Sequence, residues 1–116
     1  MSELIQHLRR HLPDNQVITD DLRRLAYGTD ASFYRLIPQV IAVIESENDL
    51  ETVLTAARQG NASVTFRAAG TSLSGQAISD GILALIGEGF ATCEISADAG
   101  KVTVGPGIIG GEVNRR

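Results

Sequence analysis

Residues 67–76 read Arg67-Ala68-Ala69-Gly70-Thr71-Ser72-Leu73-Ser74-Gly75-Gln76, and positions 70–76 hold two glycines, one threonine and two serines. Small residues let a backbone approach a ligand closely. Successive backbone N–H groups in such a turn form a concavity for phosphate oxygens, to which the three hydroxyls add donors. The stretch therefore predicts an anion-binding loop, although an ordinary polar connection between a strand and a helix has the same composition.

The segments around this loop predict an α/β fold with a small three-stranded parallel sheet and flanking helices. Val40–Ile44 is entirely apolar, as expected for a strand buried on both faces, and Val64–Phe66 and Ile82–Ile86 predict two more strands. Between the first two strands, helical periodicity begins after Ser46, which with Asp49 resembles a capping box, and ends at Gly60. This β-α-β unit predicts a right-handed crossover that leaves the loop at the carboxyl end of a strand, where such sheets bind ligands.

The two ends of the chain predict smaller elements. Residues 3–12 and 20–27 predict short helices, Val17-Ile18 predicts only an extended connector, and Tyr27, Phe33 and Tyr34 are interpreted as sealing the core. Residues 93–96 and 101–104 alternate around a turn at Asp98-Ala99-Gly100, which predicts the start of an antiparallel β hairpin. We thus predict a helical segment over 1–37, an α/β unit over 38–90 and the start of an antiparallel unit over 91–116.

Composition excludes several classes of function. Hydrophobic residues make up 43% and charged residues 21% of the 116 residues, which is typical of a globular domain and argues against disorder. A net charge of −4 lacks the basic footprint of a nucleic-acid binder, so an anion site would depend on local backbone dipoles. The apolar runs are too short to span a bilayer and no signal peptide precedes them, so we expect a cytoplasmic protein. Peripheral contact of a longer protein with the inner membrane stays open.

Cysteine and histidine patterns predict neither a disulfide nor a metal site. Cys93 is the single cysteine and is expected to be a small core residue on a strand. His7 and His11 are one helical turn apart but lack the Glu that follows the first His of a zinc-protease helix. With no Ser/His/Asp set and no paired carboxylates, the sequence predicts no catalytic residue.

Two other phosphate motifs compete with this interpretation. Gly70 and Gly75 have the glycine spacing of a P-loop, but Gln76 stands where the lysine belongs and Ala77 where the magnesium-binding hydroxyl belongs. Residues 105–110 spell G-x-G-x-x-G, but only six residues follow them. Six residues are too few for the second strand and the acidic ribose ligand of a Rossmann site.

Together with PQVIAVIESENDLETVLTAARQG upstream and VTVGPGIIGGEVN downstream, RAAGTSLSGQA resembles the N-terminal part of the FAD-binding domain of the vanillyl-alcohol-oxidase and p-cresol-methylhydroxylase (PCMH) flavoprotein family. Within it, the sequence is most similar to the branch of FAD-linked D-lactate and glycolate dehydrogenases. The resemblance implies a PCMH-type FAD-binding subdomain whose loop wraps the FAD pyrophosphate, with the YGTDAS segment near the cofactor. The cofactor-binding residues it implies are Arg67, Ala68, Ala69, Gly70, Thr71, Ser72, Ser74, Gly75 and Gln76, with Pro106 and Gly107 along the flavin.

This loop departs from the family at two positions, since the usual loop carries three consecutive glycines where Ala68 and Ala69 precede Gly70. We therefore expect both alanines to be extended and Gly70 to take the unusual dihedral angle. Arg67 has a weaker claim to the pyrophosphate and is equally compatible with a structural ion pair. No histidine lies near either loop, which favours noncovalent FAD.

The resemblance implies an FAD-dependent oxidoreductase that oxidises a 2-hydroxy acid by hydride transfer to the flavin, with the substrate bound by a later domain. We expect these residues alone to be inactive and open to self-association. The alternative is a stand-alone α/β nucleotide-binding or interaction module without redox activity. Substrate, electron acceptor and any iron–sulfur domain of a longer parent are not predicted.

Overall fold

A four-stranded sheet forms the centre of the computed structural model, which describes residues 2–73 and 75–115. Its strands are β1 (Val17–Ile18), β2 (Val40–Ile44), β3 (Val64–Arg67) and β4 (Ile82–Ile86), in the order β1-β2-β4-β3. β2, β4 and β3 are parallel, which confirms the predicted three-stranded parallel sheet. β4 lies between the other two, so the strands of the predicted β-α-β unit are not neighbours.

The outer edge of β2 is covered by β1, which runs antiparallel to it with Val17 opposite Ala42. From the sequence this segment was expected only to be extended. The pairing follows from a short 3-10 helix at Asp14–Gln16, because the Gln16 side chain donates a 2.8 Å hydrogen bond to the Val43 carbonyl. β1 therefore pairs with the outer edge of β2 and becomes a two-residue edge strand itself, and a short edge strand offers few unpaired backbone groups.

Two helices cover one face of the sheet, as the apolar periodicity predicted. They are α1 (Ser2–His11) and α3 (Glu47–Gln59). Fully buried Leu8 and Val53 from these helices pack with alternate strand residues such as Ala42 and Ala84. Because successive strand residues point to opposite faces, the even-numbered positions of β2 and β4 form this core.

The opposite face is covered more thinly. Ile18, Ile41 and Leu83 are buried there, with Tyr27 packed against them. The helix α2 (Asp21–Ala26) leaves Leu22 exposed, and Phe33 and Tyr34 are 104% and 63% exposed. The prediction that all three aromatic residues seal the core is therefore wrong for Phe33 and Tyr34, and only Tyr27 contributes to it.

The helix ends follow their local sequences. Asp20 caps α2 through the Arg23 N–H at 3.0 Å, and Ser46 caps α3 through the Asp49 N–H at 3.2 Å. The Asp49 carboxylate binds the Glu45 N–H at 3.0 Å, one residue before the partner that a capping box would use. Gly60, at the end of α3, has a negative φ of −90°. The left-handed residue that commonly ends a helix is instead the next one, Asn61.

The last part of the chain contains the predicted hairpin. β5 (Cys93–Ile95) and β6 (Val102–Val104) pair antiparallel, with Ala99 left-handed in the turn, and the short helix α4 (Gly110–Arg115) follows. Cys93 is half-buried and belongs to neither core cluster, because no second layer packs on this two-stranded ribbon among the described residues. The prediction of a core cysteine is therefore wrong.

Candidate functional site

The loop that follows β3 emerges at the carboxyl end of the parallel strands. Gly70 has a φ of +71° and Gly75 a φ of +75°, whereas Ala68 and Ala69 avoid positive φ. The predicted unusual dihedral at Gly70 is thus confirmed, and the one at Gly75 was missed. A left-handed residue costs an L-amino acid about 1–2 kcal/mol, so both positions favour glycine.

The loop presents backbone donors. The N–H groups of Ala69, Gly70 and Thr71 donate no hydrogen bond within the part of the chain that the structure describes. The Ser72 hydroxyl accepts from the Gln76 N–H at 3.1 Å, which holds the two ends of the turn together. Ser74, the remaining predicted hydroxyl donor, lies outside the described residues. Consecutive donors of this kind are suited to an anionic group.

A cavity of about 470 Å³ opens between this loop and the segment after β6. One wall is Ala68, Ala69 and Thr71, and the other runs from Pro106 to Gly110. The structure thus brings together two stretches that the sequence treated separately. Arg67, Gly70, Ser72, Gly75 and Gln76 shape the loop but do not line this cavity.

Apolar side chains that sequence reasoning missed also line this region. Ile86, Ile108 and Ile109 line the same cavity. An adjoining apolar cavity of about 420 Å³ reaches Phe66 and Phe90 and shares Ala68, Ile86 and Pro106 with the first. The available signal was the position of Ile86 at the carboxyl end of a strand beside the loop, where ligands of α/β sheets bind.

A larger cavity, of about 670 Å³, lies at the opposite end of the sheet, near Asn61, Ser63 and Asp80. It lies at the amino ends of β3 and β4 and contains neither a glycine-rich loop nor left-handed glycines with free donors. The smaller cavity at the carboxyl ends is therefore the better candidate for a cofactor site, despite its size.

The wall at Pro106 is connected to the sheet by two hydrogen bonds within the backbone and one to a side chain. The Gly107 N–H donates to the Phe90 carbonyl at 3.0 Å, and the Gly87 N–H donates to the Ile44 carbonyl at 2.8 Å. Between them, the Gly89 N–H donates to the Glu45 carboxylate at 3.0 Å. These bonds connect the end of β2 with the second wall of the cavity.

Arg67 does not reach into the cavity. Its Nη1 donates to the carbonyls of Thr29 at 2.7 Å and Tyr27 at 3.3 Å, and more weakly to that of Ala77 at 3.5 Å. Its guanidinium lies 5.1 Å from the centre of the Tyr27 ring. Among the described residues it forms no ion pair, so of the two roles left open for it the structural ion pair is not formed, and backbone carbonyls accept from it instead.

Solved structures of several differently named enzymes have similar folds. An alkyldihydroxyacetonephosphate synthase is 15% identical with a TM-score of 0.82 over 99% of this chain. p-Cresol methylhydroxylase with substrate bound is 14% identical with a TM-score of 0.79 over 98%. 6-Hydroxy-D-nicotine oxidase from Arthrobacter nicotinovorans is 23% identical with a TM-score of 0.72 over 85%. The chain spans 24%, 24% and 22% of the length of these three proteins, respectively. No curated protein sequence matches it.

Residues 38–116, more than half of the chain, match the family described as FAD binding domain. The chain belongs to this family. Its cofactor is FAD, and the resemblance to the FAD-binding domain of the p-cresol-methylhydroxylase type is confirmed at the level of family and fold. The match begins at Pro38, so the helices α1 and α2 precede the FAD binding domain as the family defines it.

The residues of the FAD binding domain suit this cofactor. Free N–H groups at Ala69–Thr71 match the pyrophosphate, and the apolar wall at Ile108 and Ile109 matches a planar ring system. No ionisable side chain lines the 470 Å³ cavity among the described residues. Any binding of the anionic group there would therefore depend on backbone dipoles and hydroxyls.

Asp30 is an ionisable group that contacts the end of the loop. Hydrogen bonds from the Ser32 hydroxyl, then from the N–H groups of Ser32 and Ala77, together with the Arg67 charge, hold the pKa of Asp30 below its usual value despite partial burial. Asp30 is therefore ionised at neutral pH and accepts from Ala77 at the end of the loop.

The histidines lie elsewhere. His7 and His11 are on α1 with their rings 4.8 Å apart, and burial, His11 and Arg10 lower the pKa of His7. No cluster of three or more His, Cys, Asp or Glu side chains suited to a metal occurs in residues 2–73 and 75–115. Within those ranges, no helix is long and apolar enough to cross a membrane.

Proposed function

We propose that this chain holds FAD noncovalently, as the cofactor-binding part of an oxidoreductase that acts on a 2-hydroxy acid. The observation that carries the proposal is the cavity that joins the free N–H groups of residues 69–71 to the Pro106–Gly110 segment. The substrate class rests on the resemblance of RAAGTSLSGQA and its flanks to the D-lactate and glycolate dehydrogenase branch.

In this proposal some residues of the loop bind the pyrophosphate and others stabilise the turn. The N–H groups of Ala69, Gly70 and Thr71 bind the pyrophosphate oxygens, and the Thr71 hydroxyl adds a donor. Ser72 and Gln76 keep the turn closed through the bond between them. Ser74 is proposed as a further donor on sequence grounds alone.

The second wall orients the ring system. Pro106 and Gly107 would lie against the flavin, while Ile108 and Ile109 would help to exclude water from the cavity that they line. When bound, FAD supplies the hydride acceptor for oxidation of the substrate. Because both histidines lie on α1, we propose that no histidyl bond to the flavin forms within this chain.

A second candidate function is a nucleotide-binding module without redox activity of its own. The observation that favours it is the lack of any acid or base along the described lining of the cavity, which leaves proton transfer to groups elsewhere. Both candidates predict FAD binding, and both predict no turnover by these 116 residues alone. They differ once the remaining three quarters of the length seen in the structural relatives is supplied.

The proposal is tested by titrating FAD into the chain and following flavin fluorescence and calorimetric heat. A Gly70→Asp variant should lose binding, because it adds a negative charge and a strained side chain where the loop turns back over Arg67. Gly111→Ala is the matched control, since a Cβ there meets nothing within 4 Å.

Failure of the folded wild-type chain to bind FAD would contradict cofactor binding by these residues. Equal binding by Gly70→Asp would contradict the placement of the pyrophosphate on this loop. Turnover of D-lactate or glycolate by the chain alone, with an artificial electron acceptor, would contradict the proposal that further residues are required.

A further inference from the structure

The segment from Tyr27 to Tyr34 contacts both ends of the glycine loop, although it lies about 40 residues upstream. An antiparallel bridge between Thr29 and Arg35 and a 3.0 Å hydrogen bond from the Leu36 N–H to the Gly28 carbonyl fold this segment into a closed turn. Residues 27–34 are called the clasp below. The clasp lies outside the part of the chain that matches the FAD binding domain.

At the first end of the loop, Arg67 connects the clasp to the loop. Three carbonyls accept from a single guanidinium nitrogen, two of them from the clasp and one from Ala77 beyond the loop. The other side of the guanidinium lies under the loop, since a Cβ on Gly70 would come within 2.5 Å of Arg67 Nε and 2.6 Å of its Cζ. The loop therefore folds directly over the Arg67 side chain.

At the second end, Asp30 and Tyr34 complete the contact. Asp30 accepts from the Ala77 N–H at 3.3 Å and from the Ser32 N–H at 2.8 Å. The Tyr34 ring lies against the backbone of Gly75, where a Cβ would be 3.0 Å from the ring carbon Cδ2. The residues on each side of the donor stretch 69–71 are thus held by the same clasp.

We propose that the clasp, through Arg67 and Asp30, presets the glycine loop in its cofactor-binding shape, and that Arg67 is a positioning residue rather than a ligand of the phosphate. The proposal rests on FAD binding at this loop and goes beyond it by assigning a role to residues 27–34 and by redefining that of Arg67. A loop ordered before its ligand arrives does not lose that conformational entropy on binding.

The chemistry of arginine separates the two roles. A phosphate ligand needs a cation, which lysine also supplies as a point charge. Arg67 instead donates to carbonyls of two segments from Nη1 alone, while the rest of its planar guanidinium lies against the Tyr27 ring and beneath Gly70. A lysine ammonium could donate to the carbonyls, but it has no planar group to fill the space between Tyr27 and Gly70. An Arg67→Lys variant should therefore keep a contact with phosphate, if there is one, but should lose the packing of residue 67 against the clasp.

The experiment compares Arg67→Lys, Arg67→Ala and Asp30→Ala with the wild-type chain, with Arg58→Lys, an exposed position on α3, as the charge-matched control. Affinity for FAD is measured at low and high salt. Amide hydrogen exchange of Ala77, whose N–H is bound by Asp30, is measured without FAD. Circular dichroism checks that each variant is folded.

We expect all three variants to bind FAD at least about tenfold more weakly and to exchange the Ala77 amide at least about tenfold faster. Arg67→Lys should resemble Arg67→Ala in both measurements, and Arg58→Lys should resemble the wild type. Asp30→Ala carries the test if the Arg67 variants do not fold.

Two results would overturn the proposal. One is an Arg67→Lys variant that binds FAD as the wild type does, while the loss in Arg67→Ala disappears at high salt, because this identifies a phosphate cation. The other is unchanged Ala77 exchange in the folded variants. If the wild type itself binds no FAD, the proposed function fails, whereas the exchange measurement still decides whether the clasp orders the loop.

Discussion

The Glu45 carboxylate accepts a 3.0 Å hydrogen bond from the Gly89 N–H, across 44 residues of sequence. Glu45 follows β2, and Gly89 lies in a short 3-10 helix, Glu88–Phe90, between the two sheets. The Phe90 carbonyl in turn accepts from Gly107, which lines the cofactor cavity. The position of one cavity wall therefore depends on a side chain at the end of the central sheet.

Replacing Glu45 with alanine should destabilise the chain by about 1–2 kcal/mol, because the Gly89 N–H loses its charged acceptor. Affinity for FAD should fall as well, since the wall at Gly107 loses a support. Thermal unfolding and FAD titration measure the two effects. Glu51→Ala, an exposed position in the middle of α3, is the control, and equal losses in both variants would argue against the connection.

The hydrogen bonds of Asp30 predict a dependence of stability on pH. They hold the pKa of Asp30 below its unfolded value of 3.8, so this stabilisation is fully present above that pH and is lost as the pH falls through the folded pKa. Thermal unfolding of the wild type and Asp30→Asn should therefore differ at pH 6, and the difference should shrink towards pH 3.

Asp20 and Asp98 contribute to stability with the same pH dependence as Asp30. Hydrogen bonds from Arg23 lower the pKa of Asp20, and a hydrogen bond from Ser96 lowers the pKa of Asp98. Both groups are present in the wild type and in Asp30→Asn, so their contributions cancel in the comparison. A difference in unfolding temperature that stays constant from pH 6 to pH 3 would show that ionisation of Asp30 is not involved.

Gly75→Ala should destabilise the chain by about 1–3 kcal/mol for two separable reasons. The left-handed φ of +75° strains any L-residue, and the new Cβ would meet the Tyr34 ring at 3.0 Å. Adding Tyr34→Ala should recover the steric part alone, which a double-mutant cycle of unfolding free energies measures. Strict additivity of the two changes would mean that ring and loop are not in contact.

Leu8→Ala should cost about 2–5 kcal/mol, because this fully buried α1 side chain leaves a cavity between α1, α3 and the sheet. Leu22→Ala on α2 is the matched change at a side chain that is 77% exposed, and it should change stability by less than about 0.5 kcal/mol. Chemical denaturation of both variants tests the two faces of the sheet. Similar losses would place α2 in the core.

The sequence by itself determined the elements whose causes are local. The apolar runs at Val40–Ile44 and Ile82–Ile86 predicted buried parallel strands, and Ser46 begins α3 at the position that its capping pattern predicted. The left-handed Gly70 followed from the alanines before it, because only glycine adopts that conformation without strain. The family resemblance was likewise carried by a contiguous stretch.

Only the tertiary structure decided which distant segments meet. It set β4 between β2 and β3, paired β1 with β2, and brought Pro106–Gly110 against the glycine loop. It also turned Arg67 towards the carbonyls of Tyr27 and Thr29 and left Phe33 exposed. Such contacts depend on long-range packing and on which backbone groups remain unpaired, and neither leaves a periodic pattern in the sequence.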